Sequence, residues 1–200
     1  MLVNTGKSND FVPELYIDNT KLEVVEQMKL LGVVITSDLK WHENTNYITQ
    51  KAFSRLWMLR RLKNMGASRK TLIDIYIKQV RSVLEFAAVV WNAGLTKDNI
   101  RQIERVQKSA FAVILGTEYL SYRDACQNLS MVTLCERRKV LSAKFALKTS
   151  KHPIHQQWFE AENQASITRS KKPKYKQVQA RTSRLLKSAI PLLTDLLNDQ

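Results

Sequence analysis

The chain has 200 residues, of which 44% are hydrophobic, and it contains only 5 glycines and 4 prolines. These values are typical of a globular protein and exclude a chain that is disordered throughout. The formal net charge of +14 favours a polyanionic partner, and nucleic acid is the first candidate.

The positive charge is unevenly distributed. Residues 1–50 carry 4 basic and 7 acidic side chains, residues 51–150 carry 19 and 7, and residues 151–200 carry 9 and 4. The basic character therefore begins with the first long helix that the sequence predicts. A charge that served only solubility would have no reason to start there.

Cysteine content and hydropathy indicate the cellular compartment of the protein. Two cysteines cannot form a disulfide framework, which indicates a reduced, intracellular protein, nuclear or cytoplasmic. No signal peptide is visible at the start of the sequence. The longest uncharged apolar stretch, residues 86–96, is shorter than the roughly 20 residues that span a bilayer, so we expect no membrane partner.

The N-terminal region predicts a small β structure. Short strands are expected at residues 15–17, 22–25 and 30–36. Residues 26–29 fit either a hairpin connection or the start of the last strand. Gly32 interrupts that strand, which indicates a bulge or a close backbone approach, although a simple packing glycine also fits. A turn follows at Ser37-Asp38.

Two long helices are predicted next. The first covers residues 43–64 and ends before Gly66, and its apolar stripe has helical spacing. That stripe consists of Ile48, Ala52, Leu56, Leu59 and Leu62. Trp57 lies beside the stripe and is expected in the core. The second helix covers residues 68–91 with a possible internal break, and its charged residues form one narrow line, which predicts a mostly buried central helix.

The remaining helices are predicted from their caps. Thr96 caps a helix that reaches Leu115, Ser121 opens a helix through Asn128, and Thr133 with Glu136 forms a capping box for a helix that ends before Pro153. The inward face of the helix over 97–115 is predicted to carry Ile100, Ile103, Gln107, Ala110 and Ile114.

We therefore predict a mainly α fold: a helical bundle preceded by a small β-hairpin region and followed by a basic, partly disordered tail. The domains would be a hairpin region over residues 1–41, a helical domain over 42–152, and the tail over 153–200. Poor order is expected over 156–184, and the short apolar segment 188–197 is expected to dock back on the helices.

No catalytic constellation is present. Polymerase chemistry needs paired carboxylates that hold two metal ions, and the sequence contains no Asp-Asp dipeptide. A zinc site from Cys126, Cys135, His152 and His155 is the weaker alternative to packed thiols and surface histidines, because structural zinc sites have more closely spaced cysteines. No hydrolase triad, phosphate-binding loop or dinucleotide fingerprint is evident.

Basic helix faces are the remaining candidates. One face offers Lys51, Arg55 and Arg61, and another offers Arg101, Arg105 and Lys108. Such faces can hold a phosphate backbone, although most charged faces are simply solvated. The strong positive charge of the helical region favours nucleic-acid binding for both faces.

Five ordered segments carry a family resemblance. They are residues 30–33 with 38–41, residues 51–61, residues 72–91, residues 103–108 and residues 134–138. The third is the most specific block, made of residues 72–76, then Val80-Arg81-Ser82-Val83-Leu84-Glu85-Phe86-Ala87 and Val90-Trp91. In this order they resemble the hairpin that closes the palm, and the thumb that follows it, in reverse transcriptases of non-LTR (LINE-like) retrotransposons. Leu30 departs from the pattern, since the family often has an aromatic residue there.

The resemblance implies a function and a set of partners. In the family the hairpin positions the primer terminus and the thumb helices hold the template–primer duplex. It would place Leu31, Gly32 and Val33 at the primer grip and Lys51, Arg55 and Arg61 against the duplex. The fingers, the palm and its two divalent metal ions would be missing, so this chain alone is expected to need no cofactor and to be inactive as an RNA-directed DNA polymerase.

Two other classes of function are consistent with the sequence. The chain could be a helical interaction or scaffold module with no role in nucleic-acid binding. More weakly, residues 97–115 and 121–128 could form a helix-turn-helix DNA reader, although the turn between them lacks a clear signature.

Overall fold

The structure, a computed structural model, describes residues 1, 3, 14–160 and 174–199. Over these residues the fold is mainly α-helical, with two small two-stranded sheets near the N terminus, which confirms the predicted fold class. The stretch 161–173, part of the segment for which poor order was predicted, lies outside the described residues. No described helix is both long and apolar enough to cross a bilayer.

Two antiparallel hairpins form the N-terminal region: β1 (Tyr16–Ile17) with β2 (Thr20–Lys21), and β3 (Gln27–Leu30) with β4 (Val33–Thr36). Leu31 and Gly32 make the turn of the second hairpin, with φ angles of +46° and +88°. A two-residue hairpin turn requires this left-handed conformation, which glycine adopts without strain. The prediction of one strand over 30–36 was therefore wrong, because Gly32 lies in a turn.

The strand predicted at residues 22–25 was also wrong. Asp18 and Asn19 adopt left-handed φ angles of +47° and +60°, so the chain reverses early and the second strand begins at Thr20. The pairing ends at Lys21, and residues 22–25 form no strand. The interval 26–29, for which two interpretations were open, provides most of β3.

Helices α1 (His42–Ser54) and α2 (Leu56–Asn64) form where one helix was predicted. The chain tightens between them, because the Arg55 N–H bonds the Ala52 carbonyl three residues back at 3.1 Å. The predicted stripe is confirmed: Ile48, Ala52, Leu56 and Leu59 are buried, and Leu62 is half-buried.

The second predicted helix is divided into four pieces: α3 (Arg69–Ile75), a π-helical turn (Tyr76–Arg81), α4 (Ser82–Glu85) and α5 (Ala88–Trp91). Five of its buried residues are spaced four apart, namely Leu72, Tyr76, Val80, Leu84 and Ala88, and Trp91 follows three residues later. The wider π turn helps to keep this spacing on one face. The prediction that only the line of charged residues along this helix is exposed to solvent was wrong. The apolar residues Phe86 and Val90 are about half exposed, with relative exposures of 53% and 50%.

Helices α6 (Lys97–Leu115), α7 (Tyr122–Asn128) and α8 (Leu134–Ser150) begin at their predicted caps. The side chains of Thr96, Ser121 and Thr133 each accept the backbone N–H three residues later, and the capping box with Glu136 is complete. The predicted inward face of α6 is buried except at Ile100, which is half-buried.

One hydrophobic core extends from Val33 of β4 through helices α1 to α7 to Leu134 at the start of α8. The second hairpin therefore packs on the helices. A smaller cluster joins Ala146 of α8 to Phe159, Leu193 and Leu197. A 3-10 helix (Pro153–Trp158) follows α8, and α9 (Ser183–Leu186) precedes α10 (Ala189–Asn198). Helix α10 packs on α8, which confirms the predicted docking of the terminal segment.

Candidate nucleic-acid interface

An open groove of about 430 Å³ lies between the second hairpin and helix α1. The backbone N–H of Val34 donates to Oδ1 of Asn44 at 3.1 Å and holds the strand against the helix. The walls carry mainly polar and long side chains, contributed by Gln27, Met28, Lys29, Val34, Glu43, Asn46, Tyr47 and Gln50. The groove is therefore wet and shallow, and it is suited to a polar ligand.

Two lysines lie close to the Tyr47 ring at this groove. Lys29 Nζ donates to the Tyr47 hydroxyl at 2.6 Å and lies 4.5 Å from the ring centroid, and Lys51 Nζ lies 5.8 Å from the same centroid. The hydrogen bond from Lys29 is the main reason that the pKa of Tyr47 is lowered below its usual value of 10.0. Two cations next to an aromatic ring are an arrangement of the kind that can hold a phosphate or another anion.

Sequence reasoning missed Lys29. Residues 1–50 carry 4 basic and 7 acidic side chains, so the sequence around Lys29 gave no signal of a basic surface. The pairing of Lys29 with Val34 across the hairpin places it over α1, which only the tertiary fold reveals.

The three basic residues predicted on the first face have different environments. Lys51 and Arg61 are exposed and make no ion pair with any described residue. Arg55 is half-buried, and its Nη1 donates to the Gln79 carbonyl of the π-helical turn at 2.5 Å. Arg55 therefore joins α1 and α2 to the central helix, and this contact reduces its freedom to reach a ligand.

The second predicted face is on α6, which lies beside α1. Gln102 Nε2 donates to Asn46 Oδ1 at 2.9 Å and to Thr49 Oγ1 at 3.1 Å, so the two helices are directly joined. The predicted basic residues of α6 are all exposed: Arg101, Arg105 and Lys108.

Each of these α6 residues has a different neighbour. Arg101 pairs with Asp98 at 3.0 Å, and Lys108 Nζ lies 5.1 Å from the Tyr122 ring centroid. Arg105 makes no ion pair within the described ranges. Exposed pairs such as Arg101 with Asp98 are weak, so all three cations remain accessible to a polyanion.

The residues implied for the primer grip occupy the hairpin tip. The Leu31 side chain is 89% exposed, whereas Val33 is 7% exposed and packs in the core. A Cβ added at Gly32 would lie 3.0 Å from Cε1 of Phe86, which confirms that the backbone closely approaches another element there. The tip therefore lies next to the break between α4 and α5.

Trp57 was expected in the core, and that prediction was wrong. Its side chain is 58% exposed on α2, because the buried stripe uses the positions on either side of it, Leu56 and Leu59. An exposed tryptophan beside Arg61 could stack on a base or sugar.

The residues of the alternative zinc site form no cluster. Both cysteines are half-buried thiols. His152 stacks on His155 with centroids 5.0 Å apart, and His155 stacks on Trp158 at 4.4 Å. Across the part of the chain that the structure describes, no group of three or more His, Cys, Asp and Glu side chains could hold a metal ion.

The chain matches no protein-family model and no curated protein, and no solved structure matches it. The resemblance to reverse transcriptases therefore rests on the five sequence segments.

Proposed function

We propose that this chain is the hairpin and thumb portion of a non-LTR retrotransposon reverse transcriptase, and that it holds a template–primer duplex through the phosphates. The proposal combines the five ordered segments with the position of the exposed cations. In this proposal the polymerase activity and its two metal ions belong to fingers and palm residues outside this sequence.

The observation that carries the proposal is the surface around the groove. Lys29 and Lys51 both lie close to the Tyr47 ring, and Lys51 on α1 and Arg61 on α2 are exposed without ion pairs to described residues. Unpaired exposed cations repel each other, and a polyanion removes that repulsion and releases its own counterions. A nuclear or cytoplasmic protein with such a surface would meet RNA and DNA.

Phosphate contacts position a protein on a duplex and carry no base information. The chain should therefore bind RNA–DNA and DNA duplexes of unrelated sequence with similar affinity. Fluorescence anisotropy with labelled duplexes over a range of salt concentrations tests this. Affinity should fall linearly with salt on logarithmic axes, with a slope of about −0.9 per phosphate contact, and affinity that is independent of salt would refute the proposal.

A second candidate, a protein-interaction module, is favoured by the apolar surface of the N-terminal segment. Nine apolar side chains between residues 15 and 31 are more than one-third exposed: Leu15, Tyr16, Ile17, Leu22, Val24, Val25, Met28, Leu30 and Leu31. In the reverse transcriptase proposal this surface packs on the palm. In the alternative it binds an unrelated protein, and the chain would show no duplex binding at moderate salt.

A further inference from the structure

Arg138 of helix α8 is fully buried, with 0% relative exposure. Its Nε donates to Asn92 Oδ1 at 3.1 Å, and its guanidinium carbon lies 6.0 Å from the centroid of the Trp91 ring. Nη1 and Nη2, which carry four of the five N–H donors of a guanidinium, have no hydrogen-bond partner among the described residues. A buried cation with most of its donors unused requires compensation.

Ser142 lies one helical turn further along the same face and is also fully buried. Its hydroxyl likewise has no hydrogen-bond partner in the part of the chain that the structure describes. Residues four apart on a helix are neighbours, so the two unpartnered groups belong to one polar site where α8 packs on α5 and α10.

The two nearby carboxylates are already occupied. Glu85 accepts from Arg137 Nε at 2.5 Å and from Arg137 Nη2 at 3.0 Å, and it also pairs with Arg81 at 3.5 Å. Glu104 accepts from Tyr122 and from the backbone N–H groups of Leu134 and Cys135. Both carboxylates raise the pKa of Arg138 from a distance, but burial outweighs them and lowers it. A guanidinium does not lose its proton in a protein, so the positive charge persists in the interior.

We propose that the Nη1 and Nη2 groups of Arg138 and the Ser142 hydroxyl bind a small inorganic anion between α8, α5 and α10. The anion supplies the missing acceptor and neutralises the buried charge. Only a small anion fits this role, because both residues are closed to solvent and a nucleic-acid phosphate cannot reach them. The site would stabilise the docking of the C-terminal helix on α8.

The test is thermal unfolding in chloride against gluconate at constant ionic strength, since gluconate is a much larger anion than chloride. Chloride should raise the melting temperature by about 2–4 °C, the shift expected for a ligand at a few times its dissociation constant. Arg138→Met should abolish the dependence on chloride, and Ser142→Ala should reduce it. Lys139→Met removes an exposed neighbouring cation and should leave the dependence intact.

Crystals soaked in bromide provide a second measurement that does not rely on the folding of a variant. An anomalous peak within hydrogen-bonding distance of Arg138 Nη1 or Nη2 is expected. Equal melting temperatures in the two salts, or density that fits an ordered water alone, would overturn the proposal.

Discussion

The hydroxyl of Tyr122 donates a hydrogen bond to Oε2 of Glu104 at 2.5 Å and so ties helix α7 to helix α6. The same carboxylate accepts the backbone N–H of Cys135 at 2.7 Å and that of Leu134 at 3.3 Å, at the N terminus of α8. Burial, and then the bond to Glu104, raise the pKa of Tyr122, so its hydroxyl keeps the proton that it donates. One buried carboxylate therefore joins three helices.

Replacing Glu104 with Gln should lower the free energy of unfolding by about 1–3 kcal/mol, because a charged acceptor for buried donors and for the α8 dipole is lost. Urea denaturation measures the change. Glu118→Gln is the control, since Glu118 forms an exposed ion pair with Arg69 and should cost at most about 1 kcal/mol. Equal losses in the two variants would contradict this role for Glu104.

Gly32→Ala should destabilise the protein more than Gly66→Ala does. Both glycines have left-handed φ angles, +88° and +81°, so both substitutions incur the same backbone cost of about 1–2 kcal/mol. Of the two, only Gly32 would bring its new Cβ against a neighbour, Cε1 of Phe86 at 3.0 Å, whereas no atom of the described residues lies within 4 Å at Gly66. The difference between their melting temperatures isolates the contact of the hairpin tip with Phe86.

If the two alanine variants unfold at the same temperature, the hairpin tip does not pack on Phe86. Adding Phe86→Ala removes the steric contact with the new Cβ. The stability lost through Gly32→Ala should then fall to the cost of the left-handed backbone conformation alone.

Asp38 should titrate with a pKa of about 2, below its usual 3.8, because the Thr36 hydroxyl and then the Lys40 N–H hydrogen-bond its carboxylate. Its folded pKa is lower than its unfolded pKa, so the stability it contributes is present above pH 3.8 and is lost as the pH falls towards 2. Solvent screening keeps the contribution small, since the side chain is 47% exposed.

Carbon-13 NMR titration of the Asp38 carboxyl measures this pKa directly. Thr36→Val removes the largest cause and should move the midpoint upwards towards 3.8. A midpoint near 3.8 in the unmodified protein would show that the turn hydrogen bonds do not form.

Lys29→Met should raise the pKa of Tyr47 towards 10.0, because the hydrogen bond from Lys29 is the largest cause of its lowering. Lys51→Met is the matched control and should raise it less, since Lys51 contributes less than Lys29. NMR titration of tyrosine ring carbons distinguishes the two. Similar shifts in both variants would argue against the arrangement of the groove.

The sequence predicts where the helices begin and end better than it predicts which of their side chains are buried. Local signals, such as the Thr133 capping box, depend only on neighbouring residues and were confirmed. The burial of Arg138 was missed because it lies within a basic run, although the buried line of α8 has helical spacing: Leu134, Arg138, Ser142, Ala146 and Thr149. In the sequence alone, a polar residue on the buried face of a helix cannot be told from an exposed one, because its burial depends on which other helices pack against it.

Prediction of the candidate site from the sequence has the same limit. Exposure of Lys51, Arg61, Arg101, Arg105 and Lys108 agrees with the helical pattern of each segment. The bond from Arg55 to the Gln79 carbonyl and the position of Lys29 over Tyr47 depend on contacts between residues far apart in sequence. No local pattern encodes such contacts.

The central claim is that the surface beside the groove holds a nucleic-acid duplex. The most direct test compares the salt dependence of duplex affinity for Lys51→Ala/Arg61→Ala with that for Lys144→Ala/Lys148→Ala, which removes the same charge from exposed positions on α8. The first pair should weaken binding to all duplex sequences about equally and reduce the slope by about 2, whereas the second should leave the slope nearly unchanged. Identical slopes in the two double variants would contradict the claim.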